Sequence, residues 1–152
     1  MDPIKKEVVV EASQETSFKV FTEKIDLWWP KEYHVGKTPL IETILEPKPS
    51  GRWYSTHEDG SEAMVGHILE WQPFDRLLLA WQVTGNFVYD PQLISEIEVI
   101  FIAEGPTRTR IKMEHRDLDK LQGGVKVIEE MDNGWGYILG RYQNLVNQTV
   151  TA

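Results

Sequence analysis

The feature that most constrains this chain is a stripe near its end. Trp135, Ile138, Leu139, Tyr142, Leu145 and Val146 recur three and four residues apart. That spacing lines one face of a helix. Arg141, Gln143, Asn144 and Asn147 occupy the opposite face. The helix is expected to open on Asp132-Asn133-Gly134. Nearly everything upstream reads as short strands, so the stripe has only a sheet to bury itself against. The pattern predicts an α+β fold: a curved antiparallel sheet of about seven strands around one long C-terminal helix. A sheet curved around a helix has room for a cavity between the two.

The strands follow from β-branched runs bounded by turn residues. Ile4 to Glu11 is the first. Ser13 is placed to cap a short helix packed through Phe18 and Phe21. Ile25 to Trp29 adds a second helical turn, which Pro30 ends because it has no N–H to donate. Lys31 to Pro39 reads as loop, and the next strands are Leu40 to Leu45, Arg52 to His57, Glu62 to Trp71 and Arg76 to Val83. Pro47-Lys48-Pro49-Ser50-Gly51 and Glu58-Asp59-Gly60-Ser61 are the turns between them. Asn86 to Leu93 is a loop carrying Phe87 and Tyr89. Ser95 to Ala103 and Thr107 to Arg116 form a last hairpin. Gly123-Gly124 breaks the segment before the helix, with one or two helical turns expected through Val127, Ile128 and Met131. Residues 1–152 show no repeat and no linker, and read as one domain.

Composition narrows the function classes. The net charge is −8, from 24 acidic and 16 basic side chains. No basic run is present, which argues against nucleic acid or an anionic membrane as partner, because phosphate binding needs clustered Lys and Arg. No apolar run reaches the length of a membrane span. Cysteine is absent, which removes disulfides, thiolate metal sites and a cysteine nucleophile, and suits the cytoplasm. The four histidines show no His-x-x-x-His spacing, so no metal is expected. Neither a Gly-x-Ser-x-Gly motif nor a phosphate loop occurs, and no cofactor is expected.

Candidate site residues come from strand alternation. Trp53 and His57 share one face of their strand with Ser55. Leu77, Leu79 and Trp81 share a face. Thr109, Ile111, Met113 and His115 alternate with Arg108, Arg110, Lys112 and Glu114, so His115 should face inward. With Met131 from the segment before the closing helix, and Trp135 and Leu139 from the helix itself, these residues would line a cavity rich in aromatic and sulfur groups. The competing reading is a filled core. Glu70 alternates with Ile68 and would face in with it, where burial would raise its pKa and suit it to general acid or base work. Pairing with Arg52 or Arg76 at the rim weighs more, because acidic residues are seldom buried unless paired. Phe87 and Tyr89, apolar side chains on a loop, are expected to flank the cavity mouth with the Trp28-Trp29-Pro30 corner, and Gly123-Gly124 to form a third wall.

Four stretches carry a family resemblance. They are Val8-Val9-Val10-Glu11-Ala12 leading to Trp28-Trp29-Pro30; Gly51-Arg52-Trp53; Gly66 through Leu77 to Ala80-Trp81; and Thr109 through His115 followed by Gly134-Trp135. Together they span nearly the whole chain. They resemble the activator of Hsp90 ATPase homologue 1-like branch of the START/Bet v 1-like helix-grip superfamily. The resemblance implies a helix-grip fold with two short helices after the first strand. It includes cavity-type ligand binders, cyclase-like enzymes and natural-product self-protection proteins. The expected activity is binding of a small hydrophobic or aromatic molecule, by a monomer or homodimer. The alternatives are a polyketide cyclase-like enzyme, an enediyne-type self-resistance protein, and an interaction or co-chaperone module using an exposed Trp28-Trp29 region or the sheet edge.

Overall fold

A computed structural model describes residues 2–121 and 124–151, with side chains through Gln148. Seven strands form one antiparallel sheet: β1 (Ile4–Val10), β2 (Leu40–Leu45), β3 (Arg52–His57), β4 (Glu62–Gln72), β5 (Arg76–Trp81), β6 (Ser95–Gly105) and β7 (Arg108–His115). Their order is β1-β7-β6-β5-β4-β3-β2. Consecutive strands from β2 to β7 are neighbours, joined by short turns except between β5 and β6, where residues 82–94 form a longer loop. The one consecutive pair that is not adjacent, β1 and β2, lies at opposite edges. The chain crosses from one edge to the other through α1 (Gln14–Glu23) and α2 (Ile25–Trp28).

Ser13 caps α1, its hydroxyl accepting from the Thr16 amide at 3.1 Å. The helix buries Phe18 and Phe21, which meet Phe101 of β6 edge to face at 5.2 and 5.7 Å. Trp28 and Trp29 are 1% and 5% exposed. The expectation of an exposed Trp28-Trp29 surface is therefore corrected. Each indole N–H finds a backbone carbonyl, Trp28 on Val20 and Trp29 on Tyr33, so both large rings can be buried without an orphan donor.

The closing helix α3 runs Gly124–Thr151. It starts eight residues before the expected Asp132 opening. Gly124 takes φ +72°, which glycine tolerates and other residues resist; Gly123 lies outside the described residues. The turns expected through Val127, Ile128 and Met131 form, and they run without a break into the stripe, so one helix covers both. Farther along, the stripe is buried as expected, with Trp135, Ile138, Leu139, Tyr142 and Val146 in the core. Polar clamps fix the helix to the rest of the fold. The Tyr142 hydroxyl donates to the Ser17 carbonyl (2.6 Å), Gln143 Nε2 to Val9 (2.8 Å) and Arg141 Nε to Trp28 (2.8 Å).

Two bulges in β4 bear on the candidate site. The register shifts between Trp53 and Tyr54 of β3, and between Ile68 and Glu70 opposite β5. An extra residue at a bulge breaks alternation. Ile68 pairs with inward Leu79, but Glu70 pairs with Leu78 and sits on the outer face. Glu70 is exposed and ion-paired with Arg76. It is not a cavity residue, and the pairing reading holds. Gly66 sits between Trp53 and Trp81 in register, and a Cβ there would lie 1.7 Å from the Ala80 carbonyl oxygen. Only glycine fits so close an approach.

Candidate functional site

An open cavity of about 400 Å³ lies between the first turns of α3, the corner after α2 and the loop after β5. Its floor is buried and aromatic: Trp29, Trp81 and Trp135, with Ile138 beside them. The three indole centroids stand 6.1–6.3 Å apart in tilted and edge-to-face arrangements. Tyr33, Phe87 and Tyr137 line the outer part. Tyr33 stacks on Phe87 at 6.5 Å and meets Tyr137 edge-on at 6.4 Å. Val127 and Met131 add apolar surface, while Thr84, Glu130 and Asn133 supply the polar groups. An apolar hollow with a few polar groups is the usual make-up of a small-molecule site.

Local sequence explains the placement. Alternation along β5 brings Trp81 inward after Leu77 and Leu79. Beyond β5 the chain makes a tight tip closed by the bridge Val83–Tyr89 and by Thr84, whose hydroxyl accepts from the Asn86 and Val88 amides. Phe87 has φ +57° there and is 43% exposed. A bulky residue in that backbone region is uncommon and directs attention to its role. It presents an aromatic ring to the cavity rather than to the core.

A buried polar chain runs beneath the floor. Trp135 Nε1 donates to His115 Nδ1 at 3.1 Å, and His115 Nε2 lies 2.9 Å from Ser95 Oγ. Indole N–H can only donate, so His115 Nδ1 is the bare nitrogen and Nε2 carries the proton. Ser95 then passes its own proton to the Trp81 carbonyl at 3.1 Å. His115 thus ties the two indoles of the floor, one by side chain and one by backbone. It is fully buried, and burial pulls its pKa down to about 3. The ring is neutral at any ordinary pH and does not itself line the cavity.

His57 is buried in a second chain. Its Nδ1–H donates to the Thr38 carbonyl at 2.8 Å, and Nε2 accepts from Ser55 Oγ at 2.7 Å. Gly36 packs so close that a Cβ there would meet the ring at 2.5 Å.

The structure brings four expected site residues together at the cavity: Trp81, Phe87, Met131 and Trp135. Trp53 stands one layer behind, 5.5 Å from Trp29 and 5.4 Å from Trp81 by ring centroids, and His57 lies behind it on the same strand face. Met113, His115 and Leu139 belong to the packed core. Tyr89 pairs with Val83 through the backbone and is not at the cavity. Tyr33, Tyr137, Ile138 and Glu130 were not anticipated. Ile138 was legible in the helical stripe. Tyr137 and Glu130 fall off that stripe, and Tyr33 falls in a segment without periodicity. Among the described residues, no three His, Asp or Glu side chains converge to hold a metal ion. No helix among them is long and apolar enough to cross a membrane.

Sheet, gripped helix and open aromatic hollow define a helix-grip protein with an internal pocket. The chain belongs to the activator of Hsp90 ATPase homolog 1-like protein family, matched over residues 11–147. It is 34% identical to an anthrahydroquino-γ-pyrone synthase, Txn09, over 96% of this chain and 97% of that one, with a TM-score of 0.70. It is 29% identical to CalC, a self-sacrificing resistance protein from Micromonospora echinospora, over 97% and 96% of the two chains, with a TM-score of 0.67. The Aha1 dimer of Colwellia psychrerythraea shares the fold at 12% identity, with 97% of each chain covered and a TM-score of 0.67. No curated relative matches the chain.

Proposed function

We propose that this protein binds a planar, polyketide-like aromatic molecule in the open cavity. The observation that carries the reading is the floor of three indoles, Trp29, Trp81 and Trp135, rimmed by Tyr33, Phe87 and Tyr137. Such rings offer flat apolar faces and edges to a flat guest. The name of one similar protein, an anthrahydroquino-γ-pyrone synthase, supports it. The reading needs no cofactor.

Gly134 gives a clean test. It faces the cavity from α3, and a Cβ there would meet nothing nearer than the Tyr33 hydroxyl at 3.9 Å. Gly134→Leu should therefore fill the cavity and leave the helix intact. Titration with tricyclic aromatic probes, followed by tryptophan quenching, should give saturable binding that Gly134→Leu weakens at least about tenfold. Binding unaffected by the leucine would place the guest elsewhere and overturn the proposal.

A second reading adds cyclisation of the bound molecule, supported by the 34% identity to a synthase. The groups able to move a proton at the cavity wall are the Glu130 carboxyl and the Tyr33 and Tyr137 hydroxyls. In that reading Glu130→Gln binds substrate but turns it over slowly; unchanged turnover would remove Glu130 from the chemistry.

A further inference from the structure

Behind the aromatic floor is a second, much smaller space, about 10 Å³, bounded by the paired strands β2 and β3. That volume suits about one oxygen-sized group. Trp29, Tyr33, Trp81 and Phe87 line both this chamber and the outer cavity, so these four rings are the partition between them. Phe87 belongs to an exposed tip, and its ring is the part of the partition least held by the core.

The chamber holds two unpaired polar atoms. Trp53 Nε1 and Thr43 Oγ1 are buried and have no hydrogen-bond partner, although both side chains line the space. Trp53 is 1% and Thr43 3% exposed. A buried polar group left unpaired forfeits its hydration without compensation, and such an orphan asks for an explanation. Trp28, Trp29 and Trp135 all satisfy their indole N–H groups, whereas the Trp53 N–H is both buried and unpaired.

The surrounding hydrogen bonds decide what the chamber can accept. Thr43 lies directly opposite Ser55 in the β2–β3 register. A carbonyl only accepts, so His57 must carry its proton on Nδ1 toward Thr38. In the neutral ring His57 Nε2 is then an acceptor, and the one Ser55 proton has that nitrogen at 2.7 Å and the Ala63 carbonyl at 3.5 Å as its acceptors. Ser55 has no proton left for a guest. The buried donors on its wall left without a partner are the Trp53 indole N–H and the Thr43 hydroxyl. Neither Lys nor Arg lines the chamber among the described residues, and its one basic group is His34, whose Nδ1 is turned to the Gly36 carbonyl; a carboxylate would be buried without a permanent counter-charge, which is costly.

We infer that the chamber is an oxygen socket for the guest of the outer cavity, in which Trp53 and Thr43 hydrogen-bond a neutral ring carbonyl. The ligand class is thereby an aromatic ketone or quinone, entering carbonyl first past Phe87. This rests on the aromatic-ligand reading above and narrows it.

A matched probe pair tests it: anthraquinone-2-sulfonate and anthracene-2-sulfonate, which share shape and charge and differ in ring carbonyls. Binding is measured to the intact protein and to Thr43→Val, which keeps the side-chain shape and removes the hydroxyl. The quinone should bind about three- to tenfold tighter than the hydrocarbon. Thr43→Val should reduce that preference and leave the hydrocarbon unchanged. The infrared carbonyl band of the bound quinone should lie below its position in an apolar solvent, and rise in Thr43→Val. Trp53→Phe serves as a second variant with the same expectation. Equal affinity for both probes, with no response to Thr43→Val, would overturn the socket while leaving the outer cavity as a binding site; a chamber that simply holds water gives that result. Failure of both probes to bind would overturn the aromatic-ligand reading and the socket with it.

Discussion

Among single residues, His115 shows most clearly how burial sets chemistry. It was expected to face inward, and it does, but as the clamp between Ser95 and Trp135 rather than as a ligand contact. Its folded-state pKa is about 3 against an ordinary 6.5. Between those values the unfolded chain binds a proton that the folded chain does not. Stability therefore rises with pH across that window, and falls as the pH drops from 6.5 toward 3. The steepest dependence a single group can impose is about 1.4 kcal/mol per pH unit. In His115→Gln, an amide oxygen can still accept from Trp135 and an amide N–H can still donate to Ser95. Urea unfolding from pH 7 to pH 4.5 should show a smaller loss of stability in His115→Gln than in the parent. Identical slopes would mean that His115 already takes up its proton in the folded state.

At the scale of elements, α3 does two jobs with one sequence. From Trp135 to Val146 it is anchored in the core and clamped to β1, α1 and α2. Before Trp135 it walls the cavity through Val127, Glu130 and Met131. Trp135 is the junction, buried in the core and facing the cavity at once. Its truncation to alanine should destabilise the fold by about 3–5 kcal/mol, read as a lower denaturant midpoint. A loss near zero would mean that the helix does not grip the sheet through that face. The β4 bulges show the opposite situation, where an element's pattern misleads. Period-two reading put Glu70 beside Ile68, and one inserted residue sent it to solvent and to Arg76.

Across the whole molecule, cations are kept out of the cavity lining, which among the described residues includes Glu130 but no Lys or Arg. The outer sheet face carries ion pairs: Arg110 with Glu7 and Glu104, and Arg116 with Glu96, Glu98 and Glu114. These pairs occupy both arginines, and the net charge of the chain is −8. An anionic probe therefore approaches against the overall field. Raising salt from about 0.01 M to about 0.15 M shortens the screening length from about 30 Å to about 8 Å. The affinity of anthracene-2-sulfonate should rise with salt by isothermal titration. An affinity that falls with salt would point to a cationic contact at the site.

The sequence by itself determined the architecture, because apolar periodicity reports which face of each element must be buried. Alternation along β3, β5 and β7 placed Trp53, Trp81, Met113 and His115 inward, and the α3 stripe placed Trp135 and Leu139 on the sheet. Periodicity is silent on whether an inward side chain meets another side chain or a void. Only the tertiary structure separated Trp81 and Trp135, which border the cavity, from Met113 and Leu139, which are packed solid. Tyr33 and Phe87 lie on connections with no period to read, and their stacking depends on two loops that are distant in sequence. The unpaired Trp53 N–H and Thr43 hydroxyl were equally hidden. A hydrogen bond left unmade is a property of three-dimensional surroundings, and no residue spacing encodes it.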